Sequence, residues 1–246
     1  MDSPGYVILS RLGAQLRATQ VLANNLANAD TPGFRAERPI FAAQLQRQPG
    51  INGTPGEPAV AYAIDRATWR DTTAGPLNTT GNPLDVAIQG EGFFAVETSQ
   101  GELFTRAGRF TLHPEGRITD HDGNAVLDAR GTPIAVSPND TRLEVLGDGT
   151  IRSENGVLGK LRVVRFEDPQ RLRAEGDRLF ASDAEALPVA RPAVLQGTLE
   201  GSNVRPVLEV TRMTAELREF QFAAQFAERE GERLQSAVER ILRRRS

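Results

Sequence analysis

Two histidines beside acidic residues are the side chains of this sequence best suited to hold a metal ion. His113 and His121 are the only histidines, and Asp120 and Asp122 flank the second one. Zinc is bound by imidazole and carboxylate groups, so the residue types fit. The two histidines nevertheless fall at the ends of different predicted strands, where a turn or surface position is the usual one. We therefore expect no metal site.

Asp120, Asp122 and Asn124 around Gly123 share some features of a calcium-binding loop. An EF-hand loop requires a glycine at its sixth position and a bidentate glutamate at its twelfth. The twelfth position here is Gly131, so the spacing fails. A hairpin turn between two short strands is the better interpretation.

Residues 90–95, with the sequence Gly-Glu-Gly-Phe-Phe-Ala, match the glycine pattern of a dinucleotide-binding loop. Such a loop needs a helix directly after the glycines, because the N-terminus of that helix meets the pyrophosphate. The residues that follow, 93–98, favour a strand instead. The sequence therefore predicts a turn between two strands and no bound nucleotide.

The residue content offers little support for covalent catalysis. The chain has no cysteine, which excludes thiolate nucleophiles, thiolate metal sites and disulfides. It also lacks a Gly-x-Ser-x-Gly nucleophile motif, and no arrangement of Ser, His and Asp stands out. We expect a protein that is not an enzyme and that carries no cofactor.

The charge and hydropathy of the chain limit its partners. The 246 residues carry a formal net charge of −3, which argues against non-specific binding to nucleic acid. No apolar run reaches about 18 residues, so we expect no membrane-spanning segment. The first five residues lack the basic and apolar regions of a cleavable signal peptide.

The elements around these residues begin with a periodic stretch at the C-terminus, residues 202–246. Written in sevens, its first and fourth positions are small or apolar: Val210, Leu217, Ala224, Gly231 and Val238, then Met213, Phe220, Ala227, Leu234 and Ile241. This spacing predicts a long helix with a coiled-coil seam. A second apolar stripe, which one neighbour cannot also cover, contains Leu208, Ala215, Phe222 and Phe226.

Another helix is predicted for residues 6–28. Its apolar residues recur at helical spacing, and they include Ile8, Leu12, Leu16, Leu22 and Leu26. This helix is shorter than the C-terminal one, so that part of the longer helix overhangs when the two pair.

Between the helices the pattern changes. Residues 34–82 are rich in glycine, proline and threonine and predict an extended arm. Residues 83–201 contain short alternating runs separated by turn signals, which is typical of an antiparallel β domain. The predicted fold is α+β. A terminal helical domain of residues 1–33 and 202–246 pairs as a coiled-coil stalk, with the arm and the mainly antiparallel β domain inserted.

Three stretches resemble the signatures of bacterial flagellar rod and hook proteins. The first is residues 23–35, Ala-Asn-Asn-Leu-Ala-Asn-Ala-Asp-Thr-Pro-Gly-Phe-Arg. The second is residues 80–94, Thr-Gly-Asn-Pro-Leu-Asp-Val-Ala-Ile-Gln-Gly-Glu-Gly-Phe-Phe, continued by residues 104–110. The third, Leu-Glu-Gly-Ser-Asn-Val at residues 199–204, lies at the entry to the C-terminal helix.

The resemblance implies a structural subunit of the flagellar basal-body rod. Residues 6–11 and 159–166 resemble the proximal rod members more than the distal rod or hook members. Such a subunit polymerises with itself and with other proximal and distal rod proteins into a drive shaft that spans the periplasm. The resemblance also implies export from the cytoplasm by the type III export apparatus, without a cleaved signal peptide.

We expect the subunits to pack through apolar positions of the two terminal helices. Burial of a Leu or Phe side chain contributes about 1.5–3 kcal/mol. An interface whose two halves differ propagates as a ring or helix, as a rod requires. The predicted packing residues are Ile8, Leu12, Leu16, Leu22, Leu26, Val210, Met213, Leu217, Phe220, Phe222, Ala224, Phe226, Ala227, Leu234, Val238 and Ile241.

Two other interpretations stay open. One is a distal rod subunit of the same family. The other is a periplasmic enzyme or glycan-binding β domain carried on a helical dimerisation stalk. This last interpretation predicts a deep polar pocket with clustered carboxylates in residues 84–200.

Overall fold

A computed structural model describes residues 3–47, 59–176 and 178–243. The side chains of 3–6, 43–47, 59–66, Leu234, Ala237, Val238 and Ile241 lie outside that description. The chain divides into two compact units. We name them the helical unit, with Met1–Leu26, Glu37–Trp69 and Arg205–Ser246, and the β unit, with Ala27–Ala36 and Arg70–Val204.

Helix α1 spans Ser3–Ala27 and confirms the predicted N-terminal helix, which begins slightly earlier than expected. Pro4 is tolerated there because the first N–H groups of a helix have no intrahelical partner. The helix ends at a turn, in which Thr31 N donates to Asn28 O at 3.2 Å. The hydroxyl group of Thr31 also donates a hydrogen bond to Asn28 Oδ1 at 3.0 Å.

Helix α2 spans Pro206–Arg243, a length of 38 residues or about 57 Å. It begins four residues later than predicted, because proline is pre-organised for the first helical position and residues 202–205 are not helical. Arg240 and Arg243 lie in its last turn, where the helix dipole favours positive charge.

Strands β1 (Glu37–Arg47) and β2 (Ala59–Arg70) pair as a two-stranded sheet. The sequence predicted an extended arm in this region. An isolated two-stranded ribbon has no face that must be buried, so its residues do not show the alternation that identifies a strand. Residues 48–58, also part of the predicted arm, lie outside the described residues. Among the side chains of the ribbon that are described, three large apolar ones are exposed, Ile40, Phe41 and Trp69.

The β unit is built from short strands joined by tight turns and one 3-10 turn at Pro169–Arg171. Its strands are β3 (Leu77–Thr79), β4 (Val86–Ile88), β5 (Phe93–Thr98), β6 (Gly101–Thr105), β7 (Thr111–Leu112), β8 (Ile118–Thr119), β9 (Ala125–Val126), β10 (Glu144–Val145), β11 (Thr150–Ser153), β12 (Gly156–Lys160), β13 (Val163–Arg165), β14 (Arg173–Glu175), β15 (Leu179–Ala181), β16 (Leu187–Pro188), β17 (Val194–Gln196) and β18 (Thr198–Glu200).

The largest sheet has the order β14-β15-β6-β5-β9-β8-β7, and β13 joins it by pairing with β5 and with β16. A three-stranded sheet, β10-β11-β12, and the pairs β17–β4 and β18–β3 complete the unit. These pairings are antiparallel. The α+β class and the antiparallel β domain are therefore confirmed.

Two main apolar clusters form the core of the β unit, beside a small third cluster of Phe34, Ala36 and Val204. The larger main cluster is mainly aliphatic and includes Val86, Ile88, Val96, Ile118, Ile134 and Ile151. In the smaller main cluster, aromatic rings pack edge to face, which favours their opposed quadrupoles. Phe93 lies 5.8 Å from Phe166 and 5.7 Å from Phe180, and Phe104 lies 4.9 Å from Phe166, measured between ring centroids. We call these four rings the phenylalanine cluster.

Both loops that might have bound a ligand are turns, as predicted. Residues 90–92 connect β4 to β5, and a strand rather than a helix follows the glycines. Asp120 Oδ1 accepts hydrogen bonds from the backbone N–H of Asp122 at 2.9 Å and of Asn124 at 2.8 Å, between β8 and β9. Gly123 has a φ of 86° in that turn, which a side chain would strain.

The two units divide the chain differently from the predicted domain boundaries. Residues 27–36 belong to the β unit, where Gly33 N donates to Glu200 O at 2.8 Å. The strands of the predicted arm lie mostly in the helical unit. Backbone pairing between distant segments causes the difference, and local composition does not reveal it. The division into residues 1–33 with 202–246, 34–82 and 83–201 stays a prediction.

Candidate assembly surface

Helices α1 and α2 contact each other through polar groups. Arg11 Nη2 lies 3.1 Å from Glu219 Oε2, and Gln15 Nε2 donates to the same oxygen at 3.4 Å. Asn25 lies closer to the C-terminal end of α1, and its Nδ2 donates to Glu209 Oε2 at 3.4 Å. Movement toward the C-terminus of α1 thus corresponds to movement toward the N-terminus of α2. The two helices run antiparallel.

Glu209 is the most deeply buried charged group on α2, and its side chain is 0% exposed. Its carboxylate accepts from Arg38 Nη1 at 2.8 Å and from Arg212 Nη1 at 3.1 Å. Burial by itself raises the pKa of Glu209, but Arg38, Asn25 and Arg212 outweigh it and hold that pKa below the ordinary value. The carboxylate therefore stays ionised and ties β1 to α2. The sequence analysis did not find this residue.

The face of α2 that the chain covers differs from the predicted seam. Buried or half-buried positions recur at spacings of three, four and seven residues, at Glu209, Met213, Glu216, Ala223, Ala227 and Glu230. Of the predicted heptad positions, Met213, Ala224 and Ala227 are half-buried, but Val210, Leu217 and Phe220 are exposed. Three glutamates on the covered face obscured it in the sequence, because carboxylates normally mark a solvated face.

Apolar side chains beside the covered face of α2 are exposed. Phe222 is 71% exposed and Phe226 is 59% exposed, one turn apart on the helix. Leu208 and Ala215, also members of the predicted second stripe, are exposed as well. On α1, Leu9 is 64% and Leu16 is 55% exposed. We call this set the exposed apolar face.

The predicted packing residues fall into three groups. On α1, Leu22 is buried, Ile8, Leu12 and Leu26 are half-buried, and Leu16 is exposed. On α2, Met213, Ala224 and Ala227 are half-buried, whereas Val210, Leu217, Phe220, Phe222 and Phe226 are exposed. The side chains of Leu234, Val238 and Ile241 lie outside the described residues. The packing role of the whole set stays a prediction.

Glu216 lies on the covered face without the arginine partners that Glu209 has. Burial raises the pKa of its carboxyl, and the neighbouring charge of Glu219 raises it further, against the weaker opposite effect of Arg11. In the helical unit, the ionised carboxylate of Glu209 therefore stabilises the fold, whereas the carboxyl group of Glu216 destabilises the fold when it is ionised.

A buried ion cluster joins the three signature stretches within the β unit. Glu200 lies 2.5 Å from Arg35 and 2.5 Å from Arg106, and all three side chains are buried. Gly75 N donates to Glu200 Oε1, the oxygen that also pairs with Arg35, at 3.0 Å. The signature residues therefore support the fold through contacts between distant segments, which the spacing of residues along the chain does not reveal.

Gly108 lies within the second signature, and the close approach of two backbones requires a glycine at this position. A Cβ atom there would lie 1.6 Å from the carbonyl oxygen of Val86. The same backbones exchange a hydrogen bond, in which Val86 N donates to Gly108 O at 2.8 Å. This part of the signature is thus explained by packing.

Both histidines are exposed, as predicted. His113 Nδ1 accepts from the backbone N–H of Glu115 at 3.3 Å in the turn before β8, whereas His121 borders a small cavity beside Asp120. Among the described residues, no group of three or more His, Cys, Asp or Glu could hold a metal ion. Neither helix, over the residues described, is long and apolar enough to cross a membrane.

Three family models match the chain in the order of its signatures. The Flagella basal body rod protein model matches residues 6–35. The Flagellar hook protein FlgE/F/G D1 domain model matches residues 87–153. The Flagellar basal body rod FlgEFG protein C-terminal model matches residues 195–240.

Curated relatives match almost the entire chain. It is 35% identical to the flagellar basal-body rod protein FlgF of Caulobacter vibrioides, over 98% of each chain. It is 34% identical to FlgF of Salmonella typhimurium, over 90% of this chain and 91% of that protein. The flagellar basal-body rod protein FlgG of Agrobacterium fabrum is 31% identical over 86% and 88%. The chain therefore belongs to the flagellar basal-body rod protein family and is a structural subunit of the rod, not an enzyme.

Proposed function

We propose that this rod subunit polymerises through the exposed apolar face of α1 and α2, with other copies and with other proximal and distal rod proteins. The observation that carries the proposal is the exposure of Phe222 and Phe226 along one side of α2. Large apolar side chains that repeat along a helix face are a common mark of a protein interface.

The energetic scale supports this use of the face. Burial of a side chain such as Phe or Leu contributes about 1.5–3 kcal/mol. Association costs roughly 4–15 kcal/mol in lost freedom, so burial of several such side chains can outweigh it. The face exposes Leu9, Leu16, Leu208, Phe222 and Phe226. In a subunit array each helix meets more than one neighbour, which is the arrangement that two apolar faces require.

The finer assignment is to the proximal rod. It is supported by the higher identity to an FlgF relative, 35%, than to an FlgG relative, 31%. The subunit reaches the periplasmic part of the rod through the type III export apparatus. Residues 1–33 with 202–246 form the packing domain, which pairs as a coiled coil on assembly, and residues 34–82 contact neighbours.

A glycan-binding or enzymatic β domain is not favoured. That interpretation requires a deep pocket with clustered carboxylates. A cavity of about 400 Å³ in the β unit is instead bordered by four arginines and by two carboxylates, Glu91 and Glu167.

The test is to charge the exposed apolar face in cells that depend on this protein for motility. We expect Phe222→Asp and Phe226→Asp to abolish swimming and to remove the rod from isolated basal bodies, because an aspartate cannot be buried between helices. The purified variants keep the circular dichroism of the native chain.

Two control variants match the test. Gln221→Asp places the same charge on an adjacent exposed position of α2. Val157→Asp places it on β12, where the native side chain is 72% exposed, as much as Phe222. Normal motility of the Phe222 and Phe226 variants would refute the packing proposal, and equal loss in all four variants would make the effect non-specific.

A further inference from the structure

Six exposed charged residues of α2 form no ion pair within the part of the chain that is described. Other charged residues of the helix are paired, as Glu219 is with Arg11 and Arg233 is with Glu230. Three positive and three negative charges are thus available to a partner. The six residues are Arg218, Arg229, Arg240, Glu228, Glu232 and Glu239.

The two signs of charge continue two different apolar lines along α2. We name the first line the arginine stripe, with Leu208, Ala215, Phe222, Arg229 and Arg240. We name the second the glutamate stripe, with Val210, Leu217, Ala224, Glu228 and Glu239. These side chains are exposed except that of Ala224, which is half-buried. At 3.6 residues per turn, the two stripes and the covered face are roughly 120° apart round the helix.

The order of apolar and charged positions is the same in the two stripes. Three apolar residues come first in each stripe, at 208, 215 and 222 in one and at 210, 217 and 224 in the other. The charged residues follow at equal spacing, from 229 to 240 and from 228 to 239. Corresponding positions differ by two residues or fewer, or about 3 Å along the helix. Two parallel, nearly level helices would therefore place apolar residues together and each arginine beside a glutamate.

We propose that the arginine stripe of one copy packs against the glutamate stripe of the next copy, with the two α2 helices parallel and nearly level. Arg229 and Arg240 then pair with Glu228 and Glu239 of the neighbouring copy. Because the two stripes differ, the contact propagates from copy to copy, and their angle curves the copies into a ring or helix. The proposal rests on the assembly role given above, to which it adds the partner and the register.

Other surfaces of the helical unit are poorer partners for the arginine stripe. Two arginine stripes placed together bring like charges into contact. A neighbour's α1 supplies no carboxylate, because Ser3–Ala27 contains no Asp or Glu. Glu219 already accepts hydrogen bonds from Arg11 and Gln15. Complementary charge selects a partner and its register, and the glutamate stripe of a second copy provides it.

The register is tested by reversal of single charges in the full chain, in cells that depend on it for motility. We expect Arg229→Glu and Glu228→Arg each to lower the number of assembled rods in isolated basal bodies at least fivefold. Each change places like charges together at every contact between copies. Charge effects within one helix are small at this spacing, so the purified variants keep the native circular dichroism.

Co-expression of the two variants shows whether the contact joins two copies of this chain. In the mixture, the reversed charge of each variant meets an opposite charge on the other, so alternating copies pair again. We therefore expect rods and swimming to return. Normal assembly of either variant alone would overturn the proposal. Failure of the mixture to assemble would also overturn it, because these charges would then contact a different rod protein.

Arg218→Glu is the matched control for Arg229→Glu. It reverses an unpaired arginine on the same side of α2, but at a level where the neighbour presents the uncharged Leu217 and Gln221. We expect near-normal assembly, and an equal loss in both variants would refute the register. If Arg229→Glu assembles normally while Phe222→Asp fails, the register is rejected and the packing role of the apolar face stands.

Disulfide crosslinking measures the register independently, since the native chain has no cysteine. Ala215→Cys in one copy and Leu217→Cys in another place two thiols at a contact, and a disulfide needs Cα atoms about 4.4–6.8 Å apart. We expect an oxidised dimer when both are co-expressed and none from either alone. Glu239→Cys in place of Leu217→Cys, far along the same stripe, is the control. Absence of the first dimer, or equal yield with the control, would contradict the level register.

Discussion

The side chain of Asn25 and the backbone of Glu37 exchange two hydrogen bonds in the helical unit. Asn25 Nδ2 donates to Glu37 O at 2.9 Å, and Glu37 N donates to Asn25 Oδ1 at 2.8 Å. The amide side chain thus forms the same two hydrogen bonds with the backbone that a neighbouring strand would form, and these bonds hold the start of β1 next to the end of α1. Asn25 is fully buried, so water cannot replace either bond.

We expect Asn25→Ala to destabilise the helical unit, because each unpaired backbone group costs about 1–3 kcal/mol. Asn25→Asp is expected to be at least as damaging, since it removes the donor and places a second carboxylate beside Glu209. Urea unfolding followed by circular dichroism measures the change. The control is Gln20→Ala on the exposed side of α1. An unchanged unfolding midpoint in Asn25→Ala would show that the two bonds contribute nothing.

Glu209→Gln tests the buried ion pair with Arg38. Breaking a buried ion pair lowers the free energy of unfolding by about 3–5 kcal/mol. Because the side chain of Arg38 is partly exposed, we expect Glu209→Gln to cost no more than this. The pKa of Glu209 is depressed in the folded state, so its contribution is present above the ordinary value of about 4.3 and is lost as pH falls through the folded-state pKa.

The native chain should therefore lose stability below about pH 4.3 more steeply than Glu209→Gln does. Unfolding midpoints of both proteins at neutral and acidic pH provide the measurement. Glu228→Gln, at an exposed position of α2, serves as the control. Parallel pH profiles for the native chain and the Glu209 variant would contradict the prediction.

Glu216→Gln should have the opposite effect. Burial and the charge of Glu219 raise the pKa of Glu216, so its ionised form destabilises the fold at neutral pH. The penalty is relieved as pH falls through the raised pKa and is absent below the ordinary value of about 4.3. We expect the variant to melt at a higher temperature than the native chain at neutral pH, and at a similar temperature in acid. A lower melting temperature at neutral pH would disprove this.

Gly108→Ala tests the close backbone approach inside the β unit. Its Cβ atom would overlap the carbonyl oxygen of Val86, so the strands must separate and the variant should fail to fold or lose several kcal/mol, as backbone strain in a core does. Gly147→Ala, where the nearest atom to the new Cβ is 4.0 Å away, is the control and is expected to be neutral or to stabilise slightly. Thermal unfolding distinguishes the two. Equal melting temperatures would show that the overlap is relieved at no cost.

Periodicity and turn chemistry were sufficient to predict both long helices, the antiparallel β domain and the turns at residues 90–92 and 120–124. These features depend on neighbours within a few residues, so local sequence contains the information. The pairing of β1 with β2 was missed, because a two-stranded ribbon has no face that must be buried and therefore need not show an alternating pattern. The start of α2 was placed too early because Asn203 is held by hydrogen bonds to Ala36 and Thr73, which are far away in the chain.

The sequence by itself determined that α2 is a long helix with apolar residues on two faces, and it led us to expect no catalytic site. Only the tertiary structure decided which face is covered. Glu209 lies inside because Arg38, 171 residues away, neutralises its charge, while Phe222 lies outside. The burial of a side chain depends on the partners that the fold brings to it, and a helical repeat specifies its own spacing but not those partners.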